Sequence, residues 1–334
     1  RARYRGGDDP RTVLREQWEA IRAHPDRSIW IHLEPWEGIE EQLATAEARD
    51  ATDLPLFGVP FAAKDNIDWH GRPTTAGCPG YAYTPNQSAP VLDLLLSAGA
   101  VCFGKTNLDQ FATGLVGVRT PYGAPRNAFD ERYLPGGSSC GSAVAVALGQ
   151  VAFALGTDTA GSGRVPAAFN ELVGLKPSRG LLSTRGVVPA CRSLDCVSVF
   201  TSSCGEAAEV LEIAGQYDPG EPWSRPGPST WPRFPRTFRF GVPPRDELDF
   251  FGWDDAFELF EQAAARLQSI GGEAVEVSLA PFLEAARLLY EGPWVTERFV
   301  AIEQFLREEP EALWPVTREI IAGGASPSAA DAFK

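Results

Sequence analysis

Apolar residues recur with a helical period near the start of the chain. Val13, Leu14, Trp18 and Ile21 form one stripe of a helix predicted over 11–23, and a second surface helix is predicted over 39–48. Residues 56–63 are apolar and strand-like and run into Lys64. A helix over 89–98 then precedes a strand over 101–104 that ends at Lys105. The next stretch, GGSSCGSAVAVALGQVAFALGTDTAGSGR from Gly136 to Arg164, has two glycine- and serine-rich turns around one apolar run. Residues 142–148 are alanine-rich and predict a short buried helix with Gly149 at its end. Residues 151–155 predict a buried strand, so the pattern is loop, helix, strand, loop. That order folds both hydroxyl clusters toward the same end of a layered structure. Short strands are predicted over 172–175 and 186–189, and a helix over 204–214. A strand over 238–242, a helix over 254–269 and a strand over 274–277 follow. Residues 281–306 read as mostly helical, with a break at Pro293. Alternating strands and helices predict an α/β layered fold.

Composition narrows the function. The 334 residues, 44% hydrophobic and 22% charged, suit a globular protein of one large domain or two ordinary ones. A net charge of −14 argues against a nucleic-acid partner. No apolar run approaches a membrane span, so no membrane partner is expected. A chain that starts at Arg1, contains no methionine and stops at SPSAADAFK reads as a domain truncated at both ends. The segment PGEPWSRPGPSTWPRFP, residues 219–235, reads as a proline-rich connector. Six irregularly spaced cysteines without a C-x-x-C pair read as reduced core thiols, and a cytoplasmic location is expected. Three histidines without ligand-like spacing predict no metal, and no cofactor is expected.

The two turns carry the candidate chemistry. They hold Ser138, Ser139 and Ser142, then Thr157, Asp158, Thr159 and Ser162. Glycine brings backbone N–H groups close to a bound atom, and serine supplies a nucleophile or a proton relay. No lysine follows these glycines as a Walker loop requires, and neither turn fits a dinucleotide fingerprint. Of 30 lysines and arginines only four are lysine, and one of them, Lys64, stands at an apolar strand end in GVPFAAKDN. A buried lysine can be neutral where an arginine cannot, so Lys64 is a candidate base for a serine. The alternative is an ordinary ion pair of Lys64 with Asp65 or Asp158. His70, in WHGRP, is the best histidine candidate for a Ser-His-Asp arrangement.

The segments GVPFAAKDNID, KTNLDQFATG, GGSSCGSAVAVA and GTDTAGSGRVPAAFNELVGLKPSRG, in this order, resemble the amidase signature family. The likeness is strong over 57–203, the signature core, and weaker towards both ends. It implies one amidase domain over 1–334: a large mixed, twisted β-sheet covered by helices on both faces. It also implies a Ser-cisSer-Lys triad. Lys64 matches the base, Ser138 the relay serine of an unusual cis peptide bond, and Ser162 the acylated nucleophile, at spacings of 74 and 24 residues. The backbone N–H groups of Thr159, Ala160, Gly161 and Ser162 would form the oxyanion hole. Asp158 either orients this loop or simply caps it. Cys140 stands where the family usually has serine or glycine and reads as a small packed side chain.

Within the family, APRNAFDERYLPGGSS, ALGTDTAGSGRVPAAFN, LLSTRGVVPACRSLDCVSVF and LYEGPWVTER are most similar to the allophanate hydrolases. Tyr290 and Arg298 match residues that hold the substrate carboxylate there; an ideal helix puts them roughly on one face, though Pro293 intervenes. The alternative for Arg298 is a surface pair with Glu291 or Glu303. Gly114, in FATG, is a candidate contact for the substrate amide. The implied reaction is hydrolysis of allophanate (urea-1-carboxylate) to ammonia and carbon dioxide through an acyl-enzyme, in urea or cyanuric acid and biuret breakdown. The implied partners are that small molecule, a second copy in a homodimer, and a C-terminal domain or a urea carboxylase. Two other readings stand beside it: the glutaminase-type subunit of a tRNA amidotransferase, and a folded but inactive fragment.

Overall fold

Six strands build the sheet that carries the site: β1 (Trp30–Leu33), β2 (Pro60–Lys64), β3 (Val101–Thr106), β4 (Phe153–Asp158), β5 (Val173–Leu175) and β6 (Cys196–Thr201). Their spatial order is β1-β3-β2-β4-β6-β5. β2 runs parallel to β3 and β4, and the remaining pairs are antiparallel, so the sheet is mixed. The computed structural model describes residues 2–49, 54–227 and 235–334. It divides into two compact units, Arg1–Gly227 with Trp294–Ser328, and Pro228–Pro293 with Ala329–Lys334.

Side-chain alternation explains why the central strands read as continuous apolar runs. Phe61, Ala63, Phe153, Leu155, Val197 and Val199 enter one apolar layer, and Ala62, Ala154 and Phe200 enter the other. The first layer is closed by α4 (Pro90–Ser97) and α7 (Cys204–Ala214), through Val91, Leu92, Leu95, Val210 and Leu211. The second is closed by α2 (Pro10–Ala23), α3 (Trp36–Glu47) and α5 (Cys140–Ala147); the one-turn α1 (Ala2–Arg5) precedes α2, and α6 (Val165–Phe169) follows β4. Helix α2 buries the predicted stripe of Val13, Leu14, Trp18 and Ile21 and is capped by Asp9, which accepts from Thr12 N. The mixed sheet with helices on both faces is therefore present as expected. A third cluster packs α10 (Trp294–Glu308) and α11 (Pro315–Ala322) on Ala76, Cys78, Phe111 and Val188.

Two predicted strands differ. Residues 56–59 form a turn, because Gly58 has φ of 67° and its N–H bonds the Gly99 carbonyl, so β2 begins only at Pro60. Residues 186–189 make one isolated bridge, Val187 to Ile67, and no strand.

In the second unit, β7 (Phe238–Val242) pairs in parallel with β8 (Gly272–Glu276) across the crossover helix α8 (Asp254–Ser269). The helical stretch predicted over 281–306 is two helices: α9 (Ala280–Glu291) in this unit and α10 in the first. Residues 228–234 of the predicted connector lie outside the described residues. Among the described residues, no helix is long and apolar enough to cross a membrane.

Candidate active site

The parallel register of β2 and β4, with Ala63 opposite Leu155, carries the ends of both strands to the same edge. Lys64 ends β2, and Thr157 and Asp158 end β4. Ser138 and Ser139 lie just before α5. Lys64 Nζ bonds Ser138 Oγ at 2.7 Å and donates to Thr157 Oγ1 at 2.8 Å. Asn66 Nδ2 also donates to Thr157 Oγ1, at 3.2 Å. Ser139 Oγ donates to the Thr157 carbonyl at 3.2 Å, tying the two turns together. The Gly137–Ser138 peptide bond is cis. A Cβ at Gly137 would lie 2.2 Å from Asp109 Oδ2 and 2.5 Å from Gly117 N, so only glycine fits.

Lys64 is completely buried. Burial pushes its ammonium pKa down to about 8, against the opposing pull of Cys140, Asp109, Asp195 and Asp158. Neither carboxylate suggested as an ion-pair partner bonds it. Asp65 pairs with the buried Lys105 at 3.1 Å, and Asp158 pairs with Arg164 at 2.9 Å. Lys64 thus faces hydroxyls rather than a carboxylate.

This burial predicts a pH-dependent stability. The unfolded chain keeps the Lys64 proton up to about pH 10.5 and the folded chain only up to about pH 8. Between these values unfolding takes up a proton, so rising pH stabilises the fold. Relative to Lys64→Met, the wild-type chain should gain roughly 2 kcal/mol between pH 7 and pH 10, measured by urea unfolding. A gap between the two proteins that stays constant across this range would contradict the buried, titrating lysine.

Asp158 organises the second turn. Its carboxylate accepts from Gly161 N at 2.8 Å, Gly163 N at 3.0 Å and the Arg164 guanidinium at 2.9 and 3.0 Å. Burial raises its pKa, but Arg164 and the two N–H groups outweigh it and hold the carboxyl below its ordinary value. The Gly161 N–H is therefore already bonded within the protein. The N–H groups of Thr159, Ala160 and Ser162 have no protein acceptor among the described residues. Ser162 is 5% exposed, and its Oγ points to the Gly114 carbonyl at 3.5 Å, a weak contact. Gly114 has φ of 158°, and a Cβ there would meet Asp109 Oδ2 at 2.7 Å.

The neighbouring Thr113 meets Arg298. Arg298 Nη1 donates to Thr113 Oγ1 at 2.8 Å, and the side chain is only 3% exposed. Glu303, one of the partners considered for a surface pair, bonds Arg307 instead. Tyr290 ends up on α9 in the second unit, 45% exposed, on a different helix from Arg298. His70 is exposed, with its backbone N–H on Ser88 Oγ. Cys140 is buried with its thiol on the Asn107 carbonyl, and burial pushes the thiol pKa up. Among the described residues no group of three or more His, Cys, Asp or Glu side chains could hold a metal ion.

Sequence reasoning overlooked the residues that support this site. Thr157 was visible only as one of several hydroxyls, although it bonds Lys64 directly. Asp109 accepts from Val116, Gly117 and Arg119 N–H groups and so shapes the loop that follows Gly114. Asp195 accepts from Thr159 Oγ1 at 2.5 Å. Thr157 and Asp195 lie far along the chain from the groups they bond, whereas the donors to Asp109 lie within ten residues of it.

The sequence profile of the Amidase family matches residues 20–328. The urea amidolyase of Saccharomyces cerevisiae is 47% identical over 326 residues, 96% of this chain and 18% of that protein. The allophanate hydrolase of Kluyveromyces lactis superposes with a TM-score of 0.93 at 43% identity, covering 99% of this chain and 55% of that structure. A crystal structure described as an amidase gives a TM-score of 0.82 at 35% identity, covering 98% of this chain and 73% of the other. The chain thus spans about a fifth of the yeast protein and about half of the K. lactis structure. With its profile match, its mixed sheet and its Lys64–Ser138 contact, the chain belongs to the amidase (amidase signature) family.

Proposed function

We propose that the chain is the amide-cleaving part of an allophanate hydrolase, with Ser162 as nucleophile, Ser138 as relay and Lys64 as base. The 2.7 Å contact between a fully buried, low-pKa Lys64 and Ser138 carries this reading. Neutral Lys64 accepts the Ser138 proton while Ser138 accepts that of Ser162. Ser162 Oγ then bonds to the terminal amide carbonyl of allophanate. The N–H groups of Thr159, Ala160 and Ser162 receive the developing oxyanion, with Gly161 held back by Asp158. Collapse of the adduct breaks the C–N bond, and the proton returns through Ser138 to the departing ammonia. Water, deprotonated along the same path, cleaves the ester. The released dicarboxylated nitrogen loses carbon dioxide and yields the second ammonia.

Arg298 favours a substrate with a carboxylate. A buried guanidinium beside Thr113 and Gly114, next to the nucleophile turn, is suited to bidentate carboxylate binding. The name of the K. lactis relative, an allophanate hydrolase, points to the same substrate. We further propose that Tyr290 takes part in carboxylate binding, that Gly114 contacts the substrate amide, and that allophanate reaches the chain from a linked or separate urea-carboxylating partner in the cytoplasm. Arg298→Ala tests the substrate assignment. It should raise KM for allophanate at least about tenfold more than KM for the uncharged amide malonamide. An equal effect on both amides would remove the carboxylate role and favour a different amidase.

A further inference from the structure

One buried carboxylate beside the turn has no part in the proton path described above. Asp195, 4% exposed, precedes β6 and accepts from three groups. Thr159 Oγ1 donates at 2.5 Å, Ala190 N at 2.9 Å and Cys191 N at 3.1 Å. Three donors on a desolvated carboxylate make a fixed acceptor rather than a mobile one. The loop carrying Asp195 is itself clamped from α10. Glu297 there accepts from Cys191 Sγ, Ser193 N and Ser193 Oγ, each at 2.9 Å. The turn from β4 to Ser162 is thus anchored at two points. Asp158 holds its far half through Gly161 and Gly163, and Asp195 holds its near half through Thr159. Without the second anchor, the Thr159 and Ala160 peptides lie between a strand end and a nucleophile with no side chain among the described residues fixing their plane. An oxyanion hole works only if its donors are oriented before the charge develops, because reorientation during the reaction costs the stabilisation they provide.

We propose that Asp195 is a positioning residue for the oxyanion hole, acting through the Thr159 hydroxyl; this rests on the Ser162 reading above. The effect belongs to the transition state, so it should appear in kcat and leave KM nearly unchanged. The test compares Thr159→Val, which keeps the shape but removes the hydroxyl, with Thr159→Ser, which keeps the hydroxyl. Ammonia release from allophanate gives kcat and KM, and thermal unfolding reports the fold. Thr159→Val should lower kcat by about ten- to a hundredfold, less than outright loss of a donor, with KM within about twofold. Thr159→Ser should be at least about fivefold faster than Thr159→Val. Asp195→Asn should lose at least as much as Thr159→Val, and the double variant little more than Asp195→Asn alone, because both remove one contact. If Asp195→Asn does not fold, the two Thr159 variants still decide. Thr159→Val with wild-type kcat, or Thr159→Ser as slow as Thr159→Val, overturns the proposal. An active wild type with an inactive Ser162→Ala and an unaffected Thr159→Val sinks this inference alone. A wild type that hydrolyses no amide, or a fully active Ser162→Ala, removes the functional reading and this inference with it.

Discussion

Lys64→Met is expected to lower kcat for amide hydrolysis about a thousandfold, the middle of the range for a lost general base. Lys64→Arg should be no better, although it keeps the charge, because a guanidinium stays protonated. This contrast separates a base from a structural cation. The wild-type rate should rise with pH through about 8 as Lys64 loses its proton, then level off. In neither variant should that rise remain. The measurement is a pH–rate profile of ammonia release for the three proteins. A Lys64→Arg variant with near-wild-type activity would assign the base elsewhere and leave Lys64 a structural role between Ser138 and Thr157.

Ser162→Ala is expected to have the largest effect, a loss of about 10⁵-fold or more in kcat, as for a removed nucleophile. The fold should survive. The hydroxyl makes only a 3.5 Å contact to the Gly114 carbonyl, and the turn is held by Asp158, not by Ser162. Thermal unfolding should therefore differ by less than about 1 kcal/mol in stability. A serine-directed fluorophosphonate should label wild-type Ser162, seen as a mass shift on its peptide, and leave the variant unlabelled. Labelling of Ser138 in place of Ser162 would exchange the roles of relay and nucleophile.

The elements around the two turns were legible as short apolar runs bounded by glycine-rich turns. The alanine-rich run before Gly149 and the apolar run after it became α5 and β4. Lys64 stood out because lysine is rare in an arginine-rich chain. β6 was not legible. Its sequence CVSVFT is buried on both faces, yet Ser198 and Thr201 break the apolar run that marks such a strand. Its Val, Phe and Thr favour a strand, and pairing with β4 and β5 on either side is what buries the polar Ser198 and Thr201 within the sheet. The supporting carboxylates were hidden for a related reason. Asp109 and Asp195 each read as one acidic residue among 44. Only the fold brings Asp195 to Thr159, while Asp109 stands near its donors in sequence and nothing in the pattern marks it as their acceptor. The second turn differs from the expectation in one respect. Counting four N–H donors from the sequence overlooks that Asp158, three residues before Gly161, takes one of them. Tyr290 and Arg298, eight residues apart on paper, fall on two helices because Gly292 and Pro293 end α9 before α10 begins.

The most direct test is the initial rate of ammonia release by this chain from allophanate and from glutamine, each with the Ser162→Ala variant as control. The account predicts rapid release from allophanate, little from glutamine, and none from either substrate with the variant. Preferential release from glutamine, or release from allophanate that persists in Ser162→Ala, would contradict it.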